Sequence, residues 1–367
     1  MGLPPLTLGI EEEYQIIDPA TRELAPRNED LIAAGQRLIH DQIKPEFMKS
    51  QVEIGTSVCR TIEEARDEIV RVRRAVVEVA DEYGLAMAAA STHPFSSFDD
   101  QPITDADRYV HLQENLGYIA TRLLIFGMHV HVGIPDPEMR LDIMKQASYF
   151  LPHLLALSSS SPFWLGSDTG LKSYRSVVFE NMPRSGLPPA FESWSAYQTF
   201  LDVLINTRCI DEPTKIWWDI RPHPKFPTLE FRITDICTKI DEVICIAALI
   251  QAIVAKLILL RRANRTWRTY SHHLIDENKW RALRYGTEGK LIDFGRRTEL
   301  PVAERTEELL ALVDDVVDEL GTRKEVEYAR TIAREGSSAD RQLAIYRETG
   351  DFKQVVDQLI AESREGL

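Results

Sequence analysis

Zinc-type cysteine pairs are missing from this chain. Its four cysteines, Cys59, Cys209, Cys237 and Cys245, are widely spaced and form no CxxC pair. That spacing excludes a zinc knuckle and argues against a disulfide framework, which points to a reducing compartment. Basic residues are also short: 43 Lys and Arg stand against 57 Asp and Glu, for a formal net charge of −14. A surface that grips phosphate backbones needs the opposite balance, so no nucleic-acid partner is expected. The opening MGLPPLTLGIEEEY has neither the basic start nor the long apolar run of a secretory leader, which makes the cytoplasm the expected location. The most apolar stretch, residues 243–260, is interrupted by Gln251 and Lys256. A buried helix fits it better than a membrane span, and no membrane partner is expected. Several signatures are absent as well: GxGxxG after a strand, GxxxxGK[ST], GxSxG and HExxH. Without regular βα alternation, a TIM barrel or a doubly wound sheet loses support.

What is present is a repeated device. Four apolar-alternating segments carry their unusual polar residues two positions apart: Glu11 and Glu13, Gln51 and Glu53, His129 and His131, Glu230 and Arg232. In a strand, residues i and i+2 share a face. Leu8, Ile10, Tyr14 and Ile16 then oppose Glu11 and Glu13, while Met128, Val130 and Val132 oppose the two histidines. If these strands share a sheet, one face collects carboxylates, imidazoles and a guanidinium. That combination suits metal and phosphate.

The periodicity places strands at 6–17, 46–56, 85–90, 122–134, 216–220 and 228–235. Thr61-Ile62-Glu63-Glu64 opens a helix running to about Tyr83, where Gly84 ends it. Further helices are expected at 138–157 and 192–208, then at 241–262, 276–284, 302–320, 324–335 and 351–363. The chain thus reads as one domain over 1–367, sheet-rich through 236 and mainly helical over 237–367, with 44% hydrophobic residues for its core.

Each cluster has a plainer reading beside the functional one. Glu11-Glu12-Glu13 on a strand fits an exposed edge that uses charge against aggregation. It equally fits carboxylates sharing a cation, for which Glu53 supplies a further ligand; Glu12 points to the apolar side and has no evident partner. Mg²⁺ or Mn²⁺ suits oxygen ligands that also meet phosphate. Gly127 and Gly133 flank the two histidines on their own face, leaving room for a ligand near the backbone. Glu230 and Arg232 fit a same-face ion pair, or a metal ligand beside a phosphate-binding arginine. Trp217 and Trp218 read as core and rim packing. The loop with Ser158–Ser161, Gly166, Gly170, Lys172 and Arg175 is at most a weak phosphate cradle.

In order along the chain, LGIEEEYQIID, QVEIGTSVC, STHPF, GMHVHVGIPD, SSSPFWLGSDTGLKSYRS and WWDIRPHPKFPTLEFRITD resemble the bacterial carboxylate–amine ligases of the type 2 glutamate–cysteine ligase family. The resemblance implies an α+β fold: a curved antiparallel β-sheet funnel of glutamine synthetase-like type, with helices packed on one face and a helical C-terminal portion. It implies metal ligation by Glu11, Glu13, Glu53, His129 and Glu230, and a nucleotide-phosphate contact by His131. Arg175 and Arg232 become the catalytic arginines that meet phosphoryl group or substrate. It implies ATP and Mg²⁺ (or Mn²⁺) as cofactors, small-molecule carboxylate and amine substrates, and a homodimer or higher homo-oligomer. The expected activity is amide formation through an acylphosphate, with weak glutamate–cysteine ligase activity. Two rivals remain open: a guanidino-kinase-like phosphotransferase sharing the sheet, and an HxH metal-dependent hydrolase.

Overall fold

Alternation in the polar-bearing segments produces the strands of one antiparallel sheet. The computed structural model describes residues 3–367; Met1 and Gly2, the start of the expected domain, lie outside the described residues. The strands are β1 (Leu8–Ile17), β2 (Ile43–Pro45), β3 (Gln51–Gly55), β4 (Ala86–Ala88), β5 (Met128–Gly133), β6 (Ile220–Pro222) and β7 (Thr228–Phe231). Their order is β6-β7-β5-β1-β3-β2, with β4 pairing the end of β1 at Gln15–Ile17. The sheet is open, and β1 lies at its centre with partners on both sides. The edge-strand reading of Glu11–Glu13 is therefore excluded.

Helices cover the apolar face. Helix Ile62–Glu82 begins as its sequence dictates: the Thr61 side chain accepts from the Glu64 amide at 3.1 Å, and Gly84 follows its end at φ +67°. It and helix Ile240–Arg262 pack against β1 and against each other. Helix Ile240–Arg262 is long and apolar enough to cross a membrane, yet its residues from Glu242 to Ala255 are all buried inside the protein, so it serves as the core helix of this fold.

Glu12 finds its partner on that covered side. Arg73, from helix Ile62–Glu82, meets its carboxylate at 2.5 Å, and both side chains are fully buried. The Tyr14 hydroxyl donates to the same carboxylate, and Arg73 also donates to the Thr238 carbonyl at 2.7 Å. One guanidinium thus joins the central strand, a helix and the segment beyond β7.

Several boundaries differ from expectation, for local reasons. The histidine strand starts at Met128 rather than 122, because the Phe126 amide leaves the ladder for the Ser91 carbonyl at 3.0 Å. The last sheet strand stops at Phe231: the amides of Arg232 and Ile233 both donate to the Asp219 carbonyl, as in a bulge. The expected helix 324–335 breaks at Tyr328 into Arg323–Glu327 and Ala329–Glu335. Helices Asn28–Ile39, Asp107–Leu116 and Ser338–Thr349 and the hairpin Lys290–Asp293/Thr298–Pro301 lie outside the sequence reading.

Candidate active site

Strand register decides which polar groups meet. Glu11 pairs with His129 across β1 and β5, Glu13 with Glu53 across β1 and β3, and Glu230 with His131 across β7 and β5. All lie on the face away from the helices, where all but His131 line a cleft of about 380 Å³ together with Arg175 and Arg232. The structure brings Glu11, Glu13, Glu53, His129, His131, Arg175, Glu230 and Arg232 into one neighbourhood.

Within it the acids fall into two groups. In the first, one ligand atom each from Glu11, His131 and Glu230 lies within 4.8 Å of the others. His131 Nδ1 meets Thr228 Oγ1 at 3.1 Å, and the buried Nε2 turns to Glu11, 3.5 Å from its Oε1. A histidine with one nitrogen fixed by a hydroxyl and the other turned to the carboxylates is arranged as a ligand usually is. Burial pulls the Glu230 carboxyl upward, but the fields of Arg221 and Arg232 outweigh it and hold the group well below its usual range. Glu11 is likewise held low, against burial, by its hydrogen bonds to the two histidines. This group has its countercharge in hand.

The second group does not. Glu13, Glu46 and Glu53 offer three carboxylate oxygens within 4.8 Å of one another. Burial, then the neighbouring charges of Glu11, Glu46 and Glu13, push Glu53 well above its ordinary value. Burial raises Glu13 and Glu46 in the same direction. Carboxylates so arranged take up protons or a cation. Hard oxygen donors at this spacing fit Mg²⁺ or Mn²⁺.

By distance it is His131 rather than His129 that lies in one set with Glu11 and Glu230, while His129 adjoins Glu11 from the other side. Burial and the field of Arg232 lower His129 to about 4, so the ring is neutral at neutral pH. Its Nδ1 lies 3.2 Å from a Glu11 oxygen. A neutral ring donates there and turns a bare Nε2 toward Gly127.

The guanidinium of Arg175 is fixed from behind. Its amide donates to Ser161 Oγ at 3.1 Å, and its Nη2 donates to the Arg232 carbonyl at 3.2 Å. Ser161 Oγ in turn donates to buried Asp235 at 2.6 Å, which also accepts from the Ser160 amide and Ser173 Oγ. Ser160, Ser161 and Ser173 thus prop Asp235, while the Ser158 and Ser159 hydroxyls donate to carbonyls of the preceding helix, so the buried serines do not form the phosphate cradle considered from sequence. Lys172 points elsewhere, pairing with Asp340 and Glu288. Arg175 and Arg232 both approach the Phe179 ring, at 5.4 and 5.9 Å, so two like charges share one wall of the cleft. An anion between them relieves that repulsion.

Gly127 makes this approach possible. Its amide donates to Glu13 at 2.6 Å, and a Cβ there would sit 2.6 Å from Arg175 Nη2 and 3.2 Å from His129 Nε2. Gly127→Ala should lower the thermal midpoint only modestly, since the guanidinium gives way at the cost of its bond to the Arg232 carbonyl. Displacing it by about 1 Å should nevertheless cost turnover on the order of 10²-fold. Steady-state kinetics beside a melting curve checks both halves.

Three residues of the site escaped the sequence reading. Glu46 opens the expected strand 46–56, whereas the strand begins at Gln51 and Glu46 follows the short strand β2. Arg221 bonds Glu230 through Nε at 2.7 Å, and it sits one residue past the expected end of strand 216–220. Extending that strand would have set Arg221 opposite Glu230 in a hairpin. Asp235 carried no signal beyond being polar at a strand end.

Comparison with known proteins agrees with this architecture. A model of glutamate–cysteine ligase family 2 matches residues 7–358. A candidate glutamate–cysteine ligase 2 of Herpetosiphon aurantiacus is 55% identical over 363 residues, covering 99% of this chain and 94% of its own. Another from Roseiflexus castenholzii is 54% identical over 363 residues, with 99% and 96% covered. Among solved structures, a glutamate–cysteine ligase from Francisella tularensis in complex with AMP superposes with a TM-score of 0.73 at 14% identity, over 99% of this chain and 90% of that one. At that identity the likeness speaks for the fold alone, an open antiparallel sheet backed by helices. On the extent of these matches, the chain belongs to glutamate–cysteine ligase family 2.

Proposed function

We propose that this chain is an ATP-dependent ligase joining a small-molecule carboxylate to an amine, with glutamate and cysteine as the first pair to try. The observation that carries the reading is the pairing of two ligand groups, Glu11/His131/Glu230 and Glu13/Glu46/Glu53, beside two cleft-facing arginines. Magnesium or manganese held by these groups supplies charge neutralisation for a polyphosphate. His129 stays in the proposal through its bare Nε2, which faces the same space.

The protein residues then do the rest by position and charge. Arg232 and Arg175 hold the transferring phosphoryl group and the substrate carboxylate. An oxygen of that carboxylate attacks the γ-phosphorus, the bond to ADP breaks, and an acylphosphate forms; such transfers depend on electrostatics more than on covalent help. The amine nitrogen attacks the acyl carbon, inorganic phosphate leaves, and a cleft carboxylate accepts the amine proton. A cytoplasmic homo-oligomer remains part of this proposal. Structural likeness to an AMP-bound ligase supports the nucleotide.

The test is phosphate release from ATP and Mg²⁺ across a panel of carboxylate–amine pairs, with the amide identified by mass spectrometry. Turnover that needs both partners supports a ligase. A phosphorylated guanidine with no amide moves the assignment to a phosphotransferase.

Metal binding has its own readout. At a hundredfold excess over its dissociation constant, Mg²⁺ should add about 2.7 kcal/mol of stability to the wild-type chain. Glu53→Gln removes one of three crowded carboxylates. In differential scanning calorimetry the metal-free variant should melt at or above the metal-free wild type, and Mg²⁺ should raise it far less. A variant that melts lower without metal and keeps the full Mg²⁺ gain contradicts the role given to Glu53.

A further inference from the structure

A second cavity, of about 990 Å³, shares no lining residue with the catalytic cleft. It lies between the helical segment 148–158, the end of helix Ile240–Arg262, the loop 264–271 and the hairpin Lys290–Asp293/Thr298–Pro301. Its size falls within the range of small-molecule sites.

Aromatic rings form one wall. Trp267 packs at 5.2 Å from Phe150 and 5.7 Å from Tyr149, and Tyr149 at 5.4 Å from Tyr270. The loop that carries Trp267 is pinned, because its amide donates to Gln146 at 2.7 Å. The indole Nε1–H is nevertheless buried without a hydrogen-bond partner. An orphaned donor of this kind is destabilising unless something accepts from it.

The charges point the same way. Asp293 and Glu308 are already neutralised by Arg305 and Arg296, and Lys256 is paired with Asp315. Arg265 and Arg268, at the rim, make no ion pair or side-chain hydrogen bond among the described residues. Two spare guanidiniums over an aromatic wall stand out on a chain of net charge −14.

We infer that this cavity is a second binding site, for a small molecule combining a planar ring with one anionic group. The ring stacks on the aromatic wall. The carboxylate or phosphate oxygens accept from Arg265, Arg268 and the Trp267 indole, whose donors have no other use.

Isothermal titration calorimetry with 4-hydroxybenzoate, phenol and acetate separates the two features. Binding of 4-hydroxybenzoate should be saturable at one per chain, with phenol and acetate each at least about tenfold weaker. The R265A/R268A double variant and W267F should each weaken 4-hydroxybenzoate by about tenfold or more, while ATP turnover is unchanged. No saturable binding overturns the inference, and so does binding that both variants leave intact, since the probe then sits elsewhere. Sedimentation velocity covers the remaining alternative. A dimer that R265A/R268A dissociates makes this face a contact between copies of the chain and overturns the small-molecule site.

Discussion

Glu230→Ala should abolish Mg²⁺-dependent ATP turnover, by ~10³-fold or more, equivalent to about 4 kcal/mol of transition-state stabilisation. The side chain does two jobs at once. Its carboxylate stands in the ligand group with Glu11 and His131, and it is the shared counterion of Arg221 and Arg232. Without it, two buried guanidiniums lose their partner and repel each other, and Arg232 is no longer held toward the cleft. Loss of fold is the trivial route to inactivity, so the variant needs a companion. Glu230→Gln keeps the shape and the acceptor oxygen while removing the charge. It should remain folded by circular dichroism, with turnover still reduced on the order of 10²-fold or more. A folded Glu230→Gln with wild-type turnover removes Glu230 from the site.

The largest effect on stability is expected behind the sheet. Arg73→Met should lower the unfolding free energy by about 3–5 kcal/mol, because Glu12 is left buried, charged and alone. Tyr14 still donates to Glu12, so part of the carboxylate remains satisfied, but the carbonyls of Thr238 and Cys237 lose their donor. The double variant Glu12→Leu/Arg73→Met removes both charges from one apolar environment and should recover most of that loss. Urea unfolding of the two singles and the double closes the cycle, with a coupling energy of a few kcal/mol as the expected result. Additive singles mean that the pair is not coupled and that this account of Glu12 is wrong.

These residues show where sequence reading stops. Glu11, Glu13, Glu53, His129, His131, Glu230 and Arg232 were legible because a period of two is local: each strand declares its own polar face. Glu46 and Arg221 were not, since each lies beside an element whose end is set by hydrogen bonds to another segment. Arg73 was overlooked on a helix whose apolar stripe includes Ile69, Val72 and Val76. A cation on that stripe is the signal that would have called for a buried acid, and Glu12 was the acid without a partner.

The serine loop fails for a further reason. Ser158–Ser161 and Arg175 suggested a phosphate cradle by composition, yet hydroxyl groups bond wherever an acceptor is buried nearby. Asp235, over sixty residues away in sequence, is that acceptor. It holds Ser161 and Ser173 inward, Ser158 and Ser159 cap helix carbonyls, and of these residues only Arg175 faces the cleft.

Alternation and residue type by themselves located most strands of the sheet and the chemistry of their polar face, and the ordered motifs, by resemblance, pointed to the family. Only the tertiary structure decided that His131 rather than His129 joins Glu11 and Glu230, that Glu46 completes the second group, and that Arg73 answers Glu12. Periodicity reports which face a side chain takes within its own element. Which groups then come within reach depends on register and packing between distant segments, and those are fixed by the burial and pairing of the whole chain.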